Sequence, residues 1–222
     1  VPAAYAPLFA AAAGVLDSHR GLDYGALEVA RSFGRRLGVT PETATVSRLV
    51  CDLNRSPYHR NLFSEFTRSL GPEARERVLA RHYWPYRQRV EAAVVEAVTS
   101  GDAILHVSSH SFTPVLNGEV RRCDVGFLYD PRQPRERAFV AAWHEALAAA
   151  APELVLRRNY PYKGVSDALV THLRRRYAAR GYVGVEIEVN QKHVGAARWR
   201  ALVGALTESL AAAVARYPGL PP

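Results

Sequence analysis

Apolar residues recur at two different periods along this chain, and the alternation between those periods divides it into elements. From 24 to 38 the string YGALEVARSFGRRLG places Leu27, Ala30, Phe33 and Leu37 at helical spacing. Arginines occupy the other side, and Gly38 is a natural stop. Residues 45–53, rich in Val, Thr and Leu, predict a strand that runs into the polar string DLNRS. A second helical pattern covers 72–100, kinked near Pro85 and ended by Gly101. The short apolar run at 103–109 predicts a buried strand that opens into a loop around His110, ahead of Pro114. A turn at Asn117-Gly118 precedes a further strand at 123–129. Beyond it the pattern predicts a helix over 135–151, a brief strand over 154–158 and a helix over 165–180 with Gly181 as its cap. A strand over 182–189 and a last helix over 196–217 follow. Helices alternating with short apolar strands predict a single α/β domain over 1–222, a three-layer fold whose mainly parallel or mixed central sheet has helices on both faces.

Composition narrows the class without deciding the function. With 222 residues, 48% of them hydrophobic, the chain can bury a full core. No run approaches the eighteen uncharged apolar residues that a membrane span needs, so membrane association is not expected. The N-terminal stretch lacks a basic region ahead of its apolar residues, which makes the cytoplasm the expected compartment. The formal charge of +8 comes mostly from arginines dispersed among acidic residues, a balance that attracts small anions but gives no basic tract for nucleic acid. Its densest run, Arg174, Arg175 and Arg176, reads as a solvated helix face. Cys51 and Cys123 have no metal-type spacing and read as buried free thiols. Oligomeric state is not encoded legibly, and a homo-oligomer stays open.

Four polar strings sit at the ends of predicted elements. The first, Asp17 to Asp23, is either a helix entry with Asp23 as the cap, or a loop that gathers His19, Arg20 and its two carboxylates into the rim of a site for an anionic ligand. In Asp52-Leu53-Asn54-Arg55, an extended backbone puts Asp52 and Asn54 on one face. The guanidinium of Arg55 beside the Asn54 amide suits a planar carboxylate, although an Asp52–Arg55 ion pair closing the strand is the plainer alternative. In the third string His106, Ser108 and His110 share a face; His106 reads as a satisfied core histidine and His110 as a candidate metal ligand. In the fourth, Glu186, Glu188 and Asn190 share a face of an apolar strand, where a carboxylate needs a partner, a proton or a metal. One such carboxylate can take a proton from water and hand it to a departing amine. No Gly-rich phosphate loop, HExxH or GxSxG string is present.

Taken together, DSHRGLDYGA (17–26), SRLVCDLNRS (47–56), HVSSHSFTPVLNGEVR (106–121), GFLYDP (126–131), RRNYPYKG (157–164) and VEIEVNQ (185–191) resemble the N-formylglutamate amidohydrolase family. The match in order spans nearly the whole chain. The resemblance implies a zinc carboxypeptidase-like fold and metal-dependent hydrolysis of a C–N bond in a small N-formyl or N-acyl amino acid. It implies Zn²⁺ as cofactor, with His110 as a ligand. Glu188 would be the general base, with Glu186 as the second candidate. Asn54 and Arg55 would hold the substrate carboxylate, Arg121 would be a further anion-binding residue, and Tyr160 and Lys163 would line the cleft.

One part of the family pattern has no counterpart here. Family members carry an earlier strand ending in a Glu-His pair followed by Gly, which supplies metal ligands and would fall just before Val1. The chain has no Met, and Val1 is followed at once by Pro2, so the expectation is that upstream sequence is missing, with ordinary Met removal or trimming as the alternative. A chain truly lacking that motif would lack one strand and its activity, leaving a non-catalytic anion- or metabolite-binding homologue as the alternative function.

Overall fold

A computed structural model describes residues 1–217; the last five residues of the expected domain lie outside the described ones. A 3₁₀ segment over Ala3–Ala12 runs into the short helix α1 (Ala13–Leu16). Helix α2 spans Ala26–Leu37 and ends at Gly38, whose φ of 70° makes the left-handed cap expected of it. Helix α3 (Pro72–Val78) joins α4 (Trp84–Thr99) through a π-turn over Leu79–Tyr83. Pro85 explains that interruption, because it has no N–H for the helical ladder and sits in the first turn of α4. Then come β1 (Ile104–Phe112), the hairpin strands β2 (Val115–Leu116) and β3 (Glu119–Val120), β4 (Val125–Leu128), α5 (Pro134–Ala150), β5 (Leu156–Arg158), α6 (Leu169–Tyr177), β6 (Tyr182–Asn190) and α7 (Trp199–Arg216). The hairpin turns at Asn117 and Gly118, both with positive φ, as the Asn-Gly pair predicts.

The central sheet is mixed, in the order β1-β6-β4-β5. β1 pairs with β6 in parallel, β4 with β6 antiparallel and β4 with β5 in parallel. Alternation along β6 separates the layers. Val183, Val185, Ile187 and Val189 pack with Val29 and Phe33 of α2, Phe139 and Trp143 of α5, and Leu206 and Leu210 of α7. Tyr182, on the opposite face, packs with Val94 of α4 and Leu173 of α6. Glu186 and Glu188 share that second face, so the polar residues of β6 lie on the α4/α6 side.

Three expectations need correction. Residues 45–53 form no strand: the segment is coil and turn, buried at Leu49, Val50 and Cys51 among Phe9, Leu62 and Tyr83. Its carbonyls are satisfied by side chains instead of a ladder. Ser64 Oγ donates to Leu49 O (2.5 Å) and Thr67 Oγ1 to Val50 O (3.0 Å). His110 lies within β1, which continues to Phe112, and not in a loop. Arg174 is not solvated either. It is 4% exposed, and its Nε donates to Glu136 Oε1 at 2.6 Å while its Nη atoms reach Gly164 O and Gly184 O. Cys51 and Cys123 are buried free thiols, as expected.

His106 is the satisfied histidine expected of it, with Nδ1 2.8 Å from the Tyr182 hydroxyl. Burial first, then the charges of His110 and Arg174, lower its pKa to about 4. A depressed histidine pKa means that the fold binds the neutral ring. Its contribution is therefore complete above the unfolded value near 6.5 and is lost as pH falls toward 4, by about 3 kcal/mol at most. We expect His106→Gln to flatten the acid side of a plot of urea-unfolding free energy against pH between those values. An unchanged slope would contradict this reading.

Candidate active site

The site is built on the register between β1 and β6. Ser108 pairs with Glu186 and His110 with Glu188, so four polar side chains emerge together on one face of the sheet. Loops from two earlier parts of the chain close over them. Ahead of α2, Asp23 brings Oδ2 to 2.8 Å from His110 Nδ1 and Oδ1 to 3.2 Å from an Arg48 guanidinium nitrogen. The expected capping role of Asp23 is not seen: the helix is capped by Gly25, with no side-chain bond. From the buried coil, Asn54 donates to Glu186 Oε1 (3.2 Å) and stands 3.5 Å from His110 Nε2. Its own oxygen accepts from Leu169 N, at the start of α6. Ser108 Oγ is 3.0 Å from His110 Nε2.

The loop carrying Asn54 is held from below, where Tyr83 Oη and Arg87 donate to the Arg55 carbonyl. Asp52 and Asn54 do not alternate on a strand; Asp52 Oδ1 accepts the Asn54 N–H in a local turn, and its other oxygen lies 3.7 Å from Arg48 and 3.8 Å from Arg55. Arg55 is thus partly engaged, since it also donates to Asp167 O at 2.8 Å.

Glu188 stands apart from these bonds. It is 6% exposed, and its Oε2 is buried without a hydrogen-bond partner among the described residues. Beside it runs the 159–164 loop, admitted by Gly126. A Cβ on Gly126 would meet Tyr160 O at 2.0 Å and lie 3.5 Å from Glu188 Cβ. Arg121 is also mostly buried, at 9% exposure, with its guanidinium between Phe112 and Tyr162 and donating to the Tyr162 hydroxyl at 3.1 Å. Among the described residues it has no carboxylate partner. The remaining expected residues lie elsewhere. Lys163 lines a separate cleft with Tyr129, Arg132 and Asn159. Arg20 pairs with Glu65 at the surface, and His19 lies on the turn after α1, outside the bonded cluster.

The charges follow from this packing. Burial raises the Glu188 pKa to about 8; the His110 and Arg48 charges oppose that rise, and Asp23 and Glu186 add to it. For His110 burial acts downward, but the Asp23 hydrogen bond and the charges of Asp23, Glu186 and Glu188 prevail and raise it to about 9. Asp23 is held below the usual carboxylate range: burial pushes it up, and Arg48, His110 and the Ser111 N–H outweigh that push.

The donor set does not fit a catalytic zinc on its own. Among the described residues no three His, Cys, Asp or Glu side chains gather where they could hold a metal, and such an ion usually takes three protein ligands.

A family model for N-formylglutamate amidohydrolase matches residues 1–194. The chain belongs to the N-formylglutamate amidohydrolase family. Among solved structures, this family member is similar to the gene product Atu2144 from Agrobacterium tumefaciens, with 30% identity and a TM-score of 0.79 over 97% of this chain and 86% of that one. It also shares its fold with an N-formylglutamate amidohydrolase from Ralstonia eutropha JMP134, at 19% identity and a TM-score of 0.69 over 86% and 81% of the two chains. No curated protein matches it. Among the described residues, no helix of this family member is long and apolar enough to cross a membrane.

One member of the cluster, Arg48, was not legible as a site residue, because it sat inside a segment that read as strand. Asp23 was legible only in part, as a helix cap or as one carboxylate of an anion-site rim. Both lay within strings that matched the N-formylglutamate amidohydrolase family, which was the available signal.

Proposed function

We propose that the chain hydrolyses the C–N amide bond of a small N-formyl or N-acyl amino acid that carries a free carboxylate. The observation that carries this reading is Glu188, a buried carboxylate with one oxygen unpartnered among the described residues, paired in register with His110 and set near Arg48. Ionised Glu188 takes a proton from the attacking water as the water oxygen bonds to the acyl carbon. It returns that proton to the amide nitrogen as the C–N bond breaks, releasing the acid and the amine. Charged His110 donates from Nε2 to the carbonyl oxygen that gains negative charge. Glu186, tied to Asn54, is the second candidate for the base.

Arg121, which has no carboxylate partner among the described residues, and Arg48 are candidate cations for the substrate carboxylate, and Asn54 and Arg55 complete the set that the family likeness suggests. The backbone carbonyl of Tyr160 passes Gly126 next to Glu188, while its ring lies against Arg157. Lys163, His19 and Arg20 enter the proposal only as outer contacts. Zinc dependence and the zinc carboxypeptidase-like fold are carried by the same likeness. His110 is the imidazole that this chain would offer the ion, but the described donors do not complete a site, so no step here passes through a metal. The second reading is a protein that binds such carboxylates without turnover.

An assay of amine release from N-formyl and N-acyl amino acids separates these readings. We expect kcat/KM to rise as Glu188 ionises near pH 8 and to fall as His110 loses its proton near pH 9, both limbs belonging to the coupled pair. Tight binding of the same compounds with no amine released would favour the second reading. A flat profile from pH 6 to 10 would remove Glu188 and His110 from the mechanism.

A further inference from the structure

Both oxygens of Asp23 are committed. Oδ2 lies 2.8 Å from His110 Nδ1 and Oδ1 lies 3.2 Å from Arg48. The carboxylate is built in rather than swung in. Gly25, two residues on, has a φ of 78°, and a Cβ there would meet the Trp199 ring at 2.7 Å, so the chain passes this point by lying against the indole. Ser109 Oγ donates to Ala26 O at 2.9 Å, which ties the start of α2 to the strand that carries His110. Ser47 Oγ donates to Gly21 O at 2.9 Å, which joins the same loop to the segment that carries Arg48.

An imidazole on a strand retains a soft second torsion with two broad wells, which exchange the positions of its nitrogens and carbons. Only a partner fixed in space can decide which edge meets the cleft. We infer that Asp23 is a positioning residue, which accepts the Nδ1–H of His110 and so fixes the ring with Nε2 directed at Ser108, Asn54 and Glu186. The kinetic consequence rests on the hydrolase reading above; the ring geometry does not. Asp23 acts through His110 in the manner of the third member of a nucleophile–base–orienter set. Each of its oxygens faces a protein donor, His110 on one side and Arg48 on the other.

The test pairs a spectroscopic readout with a kinetic one on the full chain. In ¹H–¹⁵N spectra of the histidine rings, wild type is expected to show a slowly exchanging, downfield Nδ1–H assigned to His110. Asp23→Leu abolishes that resonance. It should lower kcat on the order of a hundredfold, the upper range for removal of an orienting partner, with KM within about threefold. Asp23→Asn keeps an oxygen that can accept the same proton. It is expected to retain the resonance at an altered shift and to recover part of kcat, and it serves alone if the Leu variant does not fold. In a His110→Asn background, Asp23→Leu should add no further loss. Four results overturn the inference: a wild-type ring without the Nδ1–H resonance, an Asp23→Leu or Asp23→Asn protein whose His110 signals match wild type, a loss carried by KM, or losses that add across the two positions. If no compound is turned over, the hydrolase reading fails while the ring spectra still decide the role of Asp23.

Discussion

Glu188→Gln is expected to lower kcat by about 10²- to 10⁴-fold, the range for removal of a positioned acid–base group, with little change in substrate binding. The amide fills the volume of the carboxylate, so the site keeps its shape while the proposed proton carrier is gone. Stability should move the other way. The folded pKa of Glu188 is raised to about 8 against an ordinary 4.5, so its ionised form is disfavoured by the fold. Stability associated with the neutral carboxyl is complete below 4.5 and is lost as pH rises through 8. The Gln variant cannot ionise and is expected to melt no lower than wild type at pH 7 and higher at pH 9. Steady-state kinetics and thermal melts at those two pH values check both halves. A variant that keeps wild-type kcat, or one that melts below wild type at pH 9, contradicts the role assigned to this residue.

The second large effect concerns the fold beneath the site. Glu136 and Arg174 are 1% and 4% exposed and form an ion pair with Nε to Oε1 at 2.6 Å. Glu136 also accepts from Gly184 N on β6 and from Asp130 N, while Arg174 reaches the carbonyls of Gly164 and Gly184. This pair therefore pins α5, α6, β6 and the end of the 159–164 loop to one another. Removing one partner strands a buried charge, which costs about 3–5 kcal/mol, whereas replacing both with apolar residues of similar size costs much less. Arg174→Met is expected to lower Tm by roughly 10 °C for a chain of this size. The double variant Glu136→Leu/Arg174→Met should lose less than the sum of the single changes. A Tm within about 2 °C of wild type for Arg174→Met would show that the pair carries no structural weight.

These two residues also show what a sequence can and cannot display. Arg174 stands in a run of three arginines, and local pattern alone makes such a run a solvated face. Its partner, Glu136, lies 38 positions away, and that distance hid the pair. Residues 45–53 misled for a related reason. Val, Leu and Cys buried in a cluster look like strand residues, and the hydroxyls of Ser64 and Thr67 that replace the ladder come from a later turn. Glu186, Glu188, His106 and His110 were legible because period-two alternation in an apolar strand is a local signal that survives without tertiary information. Asn54 and Arg55 were legible as a string, but their bonds to Leu169 and Asp167 were not. The order of helices and strands after residue 72 follows the hydrophobic periods closely, and the boundaries moved most where β1 runs on to Phe112, where α6 and α7 start later, at Leu169 and Trp199, and where a 3₁₀ turn ends α6.

The proposed function requires that arginines grip the carboxylate of a small acyl amino acid while Glu188 moves the proton. The most direct measurement compares formate release from an N-formyl amino acid with release from its α-carboxamide, which has the same shape and no anion. A guanidinium left facing a neutral amide loses a charge-assisted bond of about 1.5–3 kcal/mol, so the carboxamide should react with kcat/KM lower by roughly 10- to 100-fold. Equal rates for the two compounds, or formate release from neither, would contradict the account.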